Sequence, residues 1–256
     1  LTRELKRRGV NVIARTAVDR VDTGANLGAT VHYRQGDSDE DRTAYGEVVL
    51  AAIGRVPNTD ADWFRSSGLK LDERGYVTVD GYGRTNLDGV WALGDITPGH
   101  ALAHRAFEQG ITIAEKIAGA DPKPVLDDTV PQVVFSFPEA ASVGLTLDQA
   151  KAREDVVEPK ETAYPMLSNA RMLMSGEGGS MTVVSGAFAN NPDMQVVLGV
   201  HIVSPIASDL IAEAEQLVGN RVPLADAARL IHPHPTFSET LGEALLKADG
   251  RPLHTR

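Results

Sequence analysis

"SMTVVSGAFANNPDMQVVLGVHIV", residues 180–203, is the stretch on which the fold of the rear half turns. Its two ends, SMTVVSGAF (180–188) and MQVVLGVHIV (194–203), are short runs rich in β-branched residues, and they predict an antiparallel strand pair. Three helical patterns follow: ASDLIAEAEQLVGN (207–220), PLADAARLI (223–231) and FSETLGEALLKA (237–248). Upstream, QVVFSF (132–137), ASVG (141–144) and KETAYP (160–165) read as further strands, and TLDQAKARE (146–154) as a helix. Strands followed by helices predict an α+β domain with its helices on one face of an antiparallel sheet.

The Pro- and Asp-containing segment DPKPVLDDTVP (121–131) has the texture of a domain boundary. In front of it, strand-like runs alternate with turns: VNVI (10–13), ATVHY (29–33), EVVLAAIG (47–54), YVTVD (76–80) and VWALGD (90–95). A long helical pattern then spans 101–120, with Ala103, Ala106, Phe107, Ala114 and Ile117 sharing one face. The acidic run RQGDSDEDRTAYGE (34–47) reads as a solvated turn between strands. The chain opens within a helix, LTRELKRRG, that ends at a glycine, so it reads like the middle of a longer protein.

Composition narrows the function classes. The 256 residues are 42% hydrophobic, enough for a sizeable core in one or two domains. The formal charge is -10 and no stretch concentrates Lys and Arg, which argues against nucleic acid and anionic membranes as partners. No apolar run approaches the roughly 20 residues of a membrane span, so a cytoplasmic protein is expected. Cysteine is absent from the chain, which excludes disulfides, thiolate metal sites and a cysteine nucleophile within it.

Three motifs carry chemistry. In TNLDGVWALGD (85–95) a strand ends at Gly94-Asp95, where a ligand can approach the backbone and a carboxylate can hold sugar hydroxyls. The helix that starts near Ala101 turns its unpaired N–H groups toward that same loop. Read without that helix, the pair is a turn closing a buried strand. AAIGRVPNT (51–59) places Gly54 at a strand exit, for which structure is a sufficient explanation.

The third motif, IHPHPTFSET (231–240), holds His232 and His234 one residue apart. Thr236 and Glu239 are spaced as a capping box, which would make His234 an exposed loop residue. Equally, His234 could be an acid–base group whose ring Glu239 orients. On spacing alone the two readings stand even. Prolines stiffen both flanks and no third ligand of suitable spacing appears, so no metal site is expected.

Taken in order, AAIGRVPNT, TNLDGVWALGD, ALAHRAFEQG, VVFSFPEAASVGLT and HPHPTFSE resemble the pyridine nucleotide–disulfide oxidoreductases over essentially the whole chain. Within that family, His-x-His-Pro-Thr-x-x-Glu is most like the dihydrolipoamide dehydrogenases. ALAHRAFEQGI and the tail GRPLHTR are similar to the actinobacterial members. The resemblance implies an α/β remnant of FAD- and NAD-binding domains followed by an α+β dimerisation domain. The boundaries it implies are 1–55 for the NAD-binding part, 56–125 for the rear of the FAD-binding part and 126–256 for the dimerisation domain.

It also implies FAD and NAD as cofactors. Asp95 would hold ribityl or ribose hydroxyls, and Ala101, Leu102, Ala103 and His104 would lie along the flavin. Gly54 and Val18 would line the nicotinamide site. His234 would take a proton from a dihydrolipoamide thiol, steadied by Glu239, and would act on the redox centre of a partner subunit. A homodimer through 126–256 and a lipoyl-bearing acyltransferase of 2-oxoacid dehydrogenase complexes are the implied partners. The family's Gly-rich FAD and NAD fingerprints and its redox cysteine pair have no counterpart in this sequence, so a fragment is expected. Glutathione-, mycothiol- or quinone-type reductases, a soluble transhydrogenase and a catalytically inactive dimerisation module are the alternatives.

Overall fold

A computed structural model describes residues 1–24 and 28–255; Arg256, which ends the tail GRPLHTR, lies outside the described residues. The chain divides into two units, residues 2–56 and 57–256.

In the first unit, helix α1 (Thr2–Arg7) ends before Gly9, whose φ of 82° is the left-handed conformation expected beyond a helix end. Strands β1 (Thr16–Thr23), β2 (Ala29–Gln35) and β3 (Arg42–Gly46) form an antiparallel sheet in the order β1-β2-β3. A forked pair from Arg34 to Asp19, at 2.9 and 2.7 Å, ties β2 to β1 across the sheet surface.

Strand β3 lies inside the acidic run expected to be a turn. Backbone pairing such as Thr30 with Tyr45 needs no apolar side chain, which is why this polar strand escapes a reading based on hydrophobic pattern. Conversely, VNVI and EVVLAAIG are not strands here. Val48, Leu50 and Ile53 stand 87%, 87% and 95% exposed, and no described strand lies beside them. An apolar strand is held by neighbours on both edges and by covered faces, and these residues have neither.

In the second unit, helix α2 (Asp62–Ser67) buries Phe64 and stops at Gly68. Residues 69–93 are a series of turns joined by two single bridges, Leu71 to Val77 and Arg84 to Trp91. YVTVD and VWALGD therefore contribute bridges and not full strands. Asp72 and Asp80 close two of the turns, each accepting two backbone N–H groups through one oxygen. A 3₁₀ turn at Gly94–Ile96 leads to helix α3 (Ala103–Ile117). Its buried side is Arg105, Thr112 and Ile113. The apolar face read from the sequence is turned outward, with Phe107 and Ile117 exposed, because nothing in this unit covers it.

The rest of the unit is one sheet and its helices. Strands β4 (Gln132–Val134) and β5 (Glu139–Gly144), helix α4 (Leu147–Ala152), strand β6 (Val156–Pro165), helix α5 (Ala170–Ser175), and strands β7 (Ser180–Phe188) and β8 (Asn191–Ser204) come in that order. Helices α6 (Ala207–Gly219), α7 (Leu224–Ala227) and α8 (Glu239–Ala248) close the chain. The sheet is antiparallel throughout, ordered β4-β5-β8-β7-β6.

Alternation along β7 and β8 divides the side chains between the two faces. Met181, Val183, Val200 and Ile202 join Leu210, Ile211, Ala214 and Leu217 of α6 and Leu241, Ala244 and Leu245 of α8 in the main core. Val184, Val196 and Leu198 face the other way, against Ala150 of α4. Gly144 and Gly199 pair across β5 and β8 where the chain folds back over the sheet. A Cβ on either would stand 2.2 Å from a backbone oxygen, of Leu198 or Leu145 respectively, so no side chain fits.

Candidate active site

The loop between α7 and α8 and the first turn of α8 bring His234 and Glu239 together. Glu239 begins α8, and its two oxygens do different work. Oε2 accepts the backbone N–H of Thr236 at 2.8 Å, and Oε1 takes Nδ1 of His234 at 2.9 Å. Only half of a capping box results. The Thr236 hydroxyl donates to the carbonyl of Pro233 at 2.7 Å and contacts Ser238, and the helix cap falls at Ser238. The glutamate half of the cap and the histidine contact coexist on one side chain.

Burial is the largest single influence on Glu239 and opposes its charge. The Thr236 N–H, the His234 hydrogen bond and the nearby charges of His234 and His232 together outweigh burial, so the carboxyl is held below the usual carboxylate range. A carboxylate on Nδ1 favours the proton there and leaves Nε2 as the acceptor nitrogen. The His234 side chain is 70% exposed, so this nitrogen can be reached from outside the chain. A ring so placed can accept a proton from an external group and return it.

Neighbours that the motif alone does not reveal hold the loop. Asn169 is buried; it caps α5 by accepting the N–H of Met172 and donates to the carbonyl of Thr236 at 3.1 Å. Arg171 lies over the Phe237 ring at 5.5 Å. His232 turns inward, with Nε2 2.8 Å from Oε1 of Glu213 on α6. Among the described residues no three His, Asp or Glu side chains are grouped to hold a metal ion.

A second constellation forms at the start of α3. Gly94 holds a φ of 73°, and its N–H donates to Gln109 of α3 at 2.9 Å, which fixes the turn carrying Asp95 against the helix. The helix begins at Ala103, two residues after the expected start. Its N-cap, Leu102, is extended and supplies no side-chain cap to the first N–H groups. Ala101, Ala103 and His104 are exposed, and the two small side chains leave the approach to those N–H groups open. The His104 ring is engaged elsewhere, its Nε2 2.7 Å from the carbonyl of Pro131. The arrangement suits an electron-rich, planar group presented edge-on to the helix end.

Arg105, buried on the same helix, donates to Asp127 and to the Pro98 carbonyl, both at 2.6 Å, and so fastens α3 to the connector at 121–131. Gly54 and Val18 belong to the other unit. Gly54 has a φ of 125° in the exposed stretch, and Val18 is exposed beside a bulge in β1.

Comparison with known proteins identifies the family. Residues 1–110 match the model for pyridine nucleotide-disulphide oxidoreductases, and residues 130–245 match the dimerisation domain of the same family. The chain belongs to the pyridine nucleotide-disulphide oxidoreductases.

Within this family, the dihydrolipoyl dehydrogenase of Cupriavidus necator is 38% identical over 254 residues, covering 98% of this chain and 51% of that protein. The dihydrolipoyl dehydrogenase of Geobacillus stearothermophilus is 37% identical over 260 residues, covering 99% and 52%. The chain thus spans about half the length of the curated relatives it matches. The crystal structure of LpdA from Mycobacterium tuberculosis superposes with a TM-score of 0.82 at 30% identity, over 96% of this chain and 51% of that one. RclA of Escherichia coli, a flavoprotein disulfide reductase, shares the fold at 22% identity and a TM-score of 0.78. In family terms, His234 and Glu239 lie in the dimerisation domain, and Gly54, Asp95 and the α3 start lie in the oxidoreductase match.

Proposed function

We propose that this chain is the rear part of an FAD-dependent enzyme that oxidises dihydrolipoamide with NAD+ as acceptor. The observation that carries the reading is the His234–Glu239 pair, an exposed imidazole whose Nδ1 is occupied by a carboxylate fixed at a helix start. In this reading residues 1–55 belong to an NAD-binding domain, 56–125 to an FAD-binding domain and 126–256 to the dimerisation domain. The similarity to dihydrolipoyl dehydrogenases supports the substrate class.

Nε2 of His234 takes the proton of a substrate thiol, and the imidazolium formed is stabilised by Glu239. The thiolate then attacks a disulfide. This chain contains no cysteine, so that disulfide must come from a segment outside it. FAD, when bound, supplies the transfer of the electron pair onward to NAD+. Asp95 would hold its sugar-like hydroxyls, and the N–H groups at Ala103 and His104, with Ala101 and Leu102 alongside, would stabilise the negative charge that the flavin gathers as it is reduced. Gly54 and Val18 would line the nicotinamide site. A second copy of the chain, docked through 126–256, and a lipoyl-bearing acyltransferase are the partners.

The test uses the longer protein that carries this chain. His234→Ala should slow flavin reduction by dihydrolipoamide by about 10² to 10⁴, the range for loss of a positioned acid–base group. Reduction by NADH should persist, because hydride transfer does not use the imidazole. Stopped-flow absorbance reads both, and dithiol-driven reduction at the wild-type rate would overturn the assignment. Glutathione disulfide, mycothiol disulfide and quinones, run beside dihydrolipoamide, separate the neighbouring specificities.

A second reading is favoured by the missing cysteines: the 256-residue chain, taken alone, is a dimerising module without dithiol turnover. Stoichiometric FAD in the purified chain would contradict it.

A further inference from the structure

His232 is the half of the His-x-His motif to which the proposed chemistry gives no role, yet it is the more firmly held of the two. Its side chain is 9% exposed, against 70% for His234. Nε2 meets Glu213 of α6 at 2.8 Å. On its other side the ring rests on Gly242 of α8, where a Cβ would lie 2.6 Å from Nδ1. A buried glycine in a helix interior is less favourable than alanine, and here it makes room for the imidazole.

Helix α8 therefore contacts both histidines from residues three apart on one face: Glu239 through its carboxylate and Gly242 through its bare backbone. Pro233 separates the two histidines in the sequence, and each histidine precedes a proline, which fixes φ at the prolines and biases both histidines to extended backbone. With only one residue between the histidines, and that one stiff, an anchored His232 leaves His234 little freedom but its rotamer.

We propose that His232, gripped by Glu213 and seated on Gly242, is a positioning residue that presents the ring of His234 to Glu239. The inference rests on the reading of His234 as the acid–base group, but its test does not require the dithiol reaction. Removing Glu213 leaves a buried imidazole without its partner, and the loop then shifts to rehydrate it. The Nδ1 contact of His234 is lost with that shift.

Nitrogen NMR of the histidine rings in the 256-residue chain reads this directly. In the wild type the two ring nitrogens of His234 should show well-separated shifts, with the proton on Nδ1. In Glu213→Gln and in Gly242→Ala the separation should be lost as the ring exchanges between tautomers, while the amides of β7 and β8 keep their positions. A merely structural role would change the unfolding temperature and leave the His234 nitrogens alone. Unchanged His234 shifts in both variants would overturn the proposal and leave the dithiol reading intact. If either variant loses its sheet amides, Glu213→Asp, which withdraws the carboxylate by one methylene, takes its place and is read by the same shifts. Wild-type flavin reduction by dihydrolipoamide in His234→Ala would instead remove the dithiol reading, whatever the shifts show.

Discussion

Glu239 shows how one side chain can make both contacts between which spacing leaves the reading even. As a cap it accepts the Thr236 N–H, and as an orienting group it holds Nδ1 of His234; the two oxygens allow both. Glu239→Ala should cost about 1–2 kcal/mol, the range for losing a cap and a charge-assisted hydrogen bond. Urea unfolding at neutral pH measures it. The pH dependence has two limbs of opposite sign. Glu239 is held below the ordinary carboxylate value, so its contribution is present above about pH 4.3 and is lost as pH falls through the lowered value.

His232 is raised, chiefly by its hydrogen bond to Glu213, against burial and with help from the Glu213 charge, the Leu230 carbonyl and the Glu239 charge. Its contribution is complete below about pH 6.5 and is lost as pH rises through the raised value. The stability gap between the wild type and Glu213→Gln should therefore be widest in mild acid and close in alkali. A gap that widens with pH would mean the pair is not an ion pair. The sequence exposed Thr236, His234 and Glu239 because they are neighbours along the chain. Glu213, Asn169 and Gly242 lie tens of residues or a helical turn away, and only folding brings them to the loop.

Among the elements, those that carry their own pattern were the readable ones. Strands β7 and β8 are runs rich in β-branched residues, and helices α6 and α8 each have an apolar stripe, so the rear sheet and its covering helices could be drawn from the residues. Elements that depend on neighbours were not. EVVLAAIG has the composition of a buried strand but no partner beside it, and the polar strand β3 is held by backbone pairing alone. Of PLADAARLI only Leu224–Ala227 is helical, and the chain beyond it runs on to set His232 against Gly242 of α8. Helix α8 owes its place to the core. Leu241 is fully buried against the sheet, and Leu241→Ala should lower stability by about 2–5 kcal/mol. Because Leu241 lies between Glu239 and Gly242, thermal unfolding of this variant should be accompanied by loss of the His234 Nδ1 signal at a lower temperature than in the wild type.

At the scale of the whole molecule, the surface of residues 126–256 departs from that of a self-sufficient domain. Phe135, Leu173, Met174 and Ile231 are 78%, 63%, 66% and 96% exposed, and large apolar side chains in such number mark a surface that is covered in use. In the proposed homodimer the cover is a second copy, a reading that the match to a dimerisation domain supports. Ile231 is the sharpest probe, because it directly precedes His232 and makes the least use of its own chain. Burying it in a partner would draw on about 1.5–3 kcal/mol of apolar transfer per side chain. In a twofold dimer the same residue is buried twice, so a carboxylate there also faces its own charge or an apolar wall on each side. Ile231→Asp should thus shift the 256-residue chain from dimer toward monomer at concentrations where the wild type remains paired, as read by sedimentation velocity. Its ring-nitrogen shifts should stay those of the wild type, since Glu213 and Gly242 are untouched. A wild-type dimer in Ile231→Asp would remove this loop from the interface and, with it, the idea that His234 reaches across to a partner.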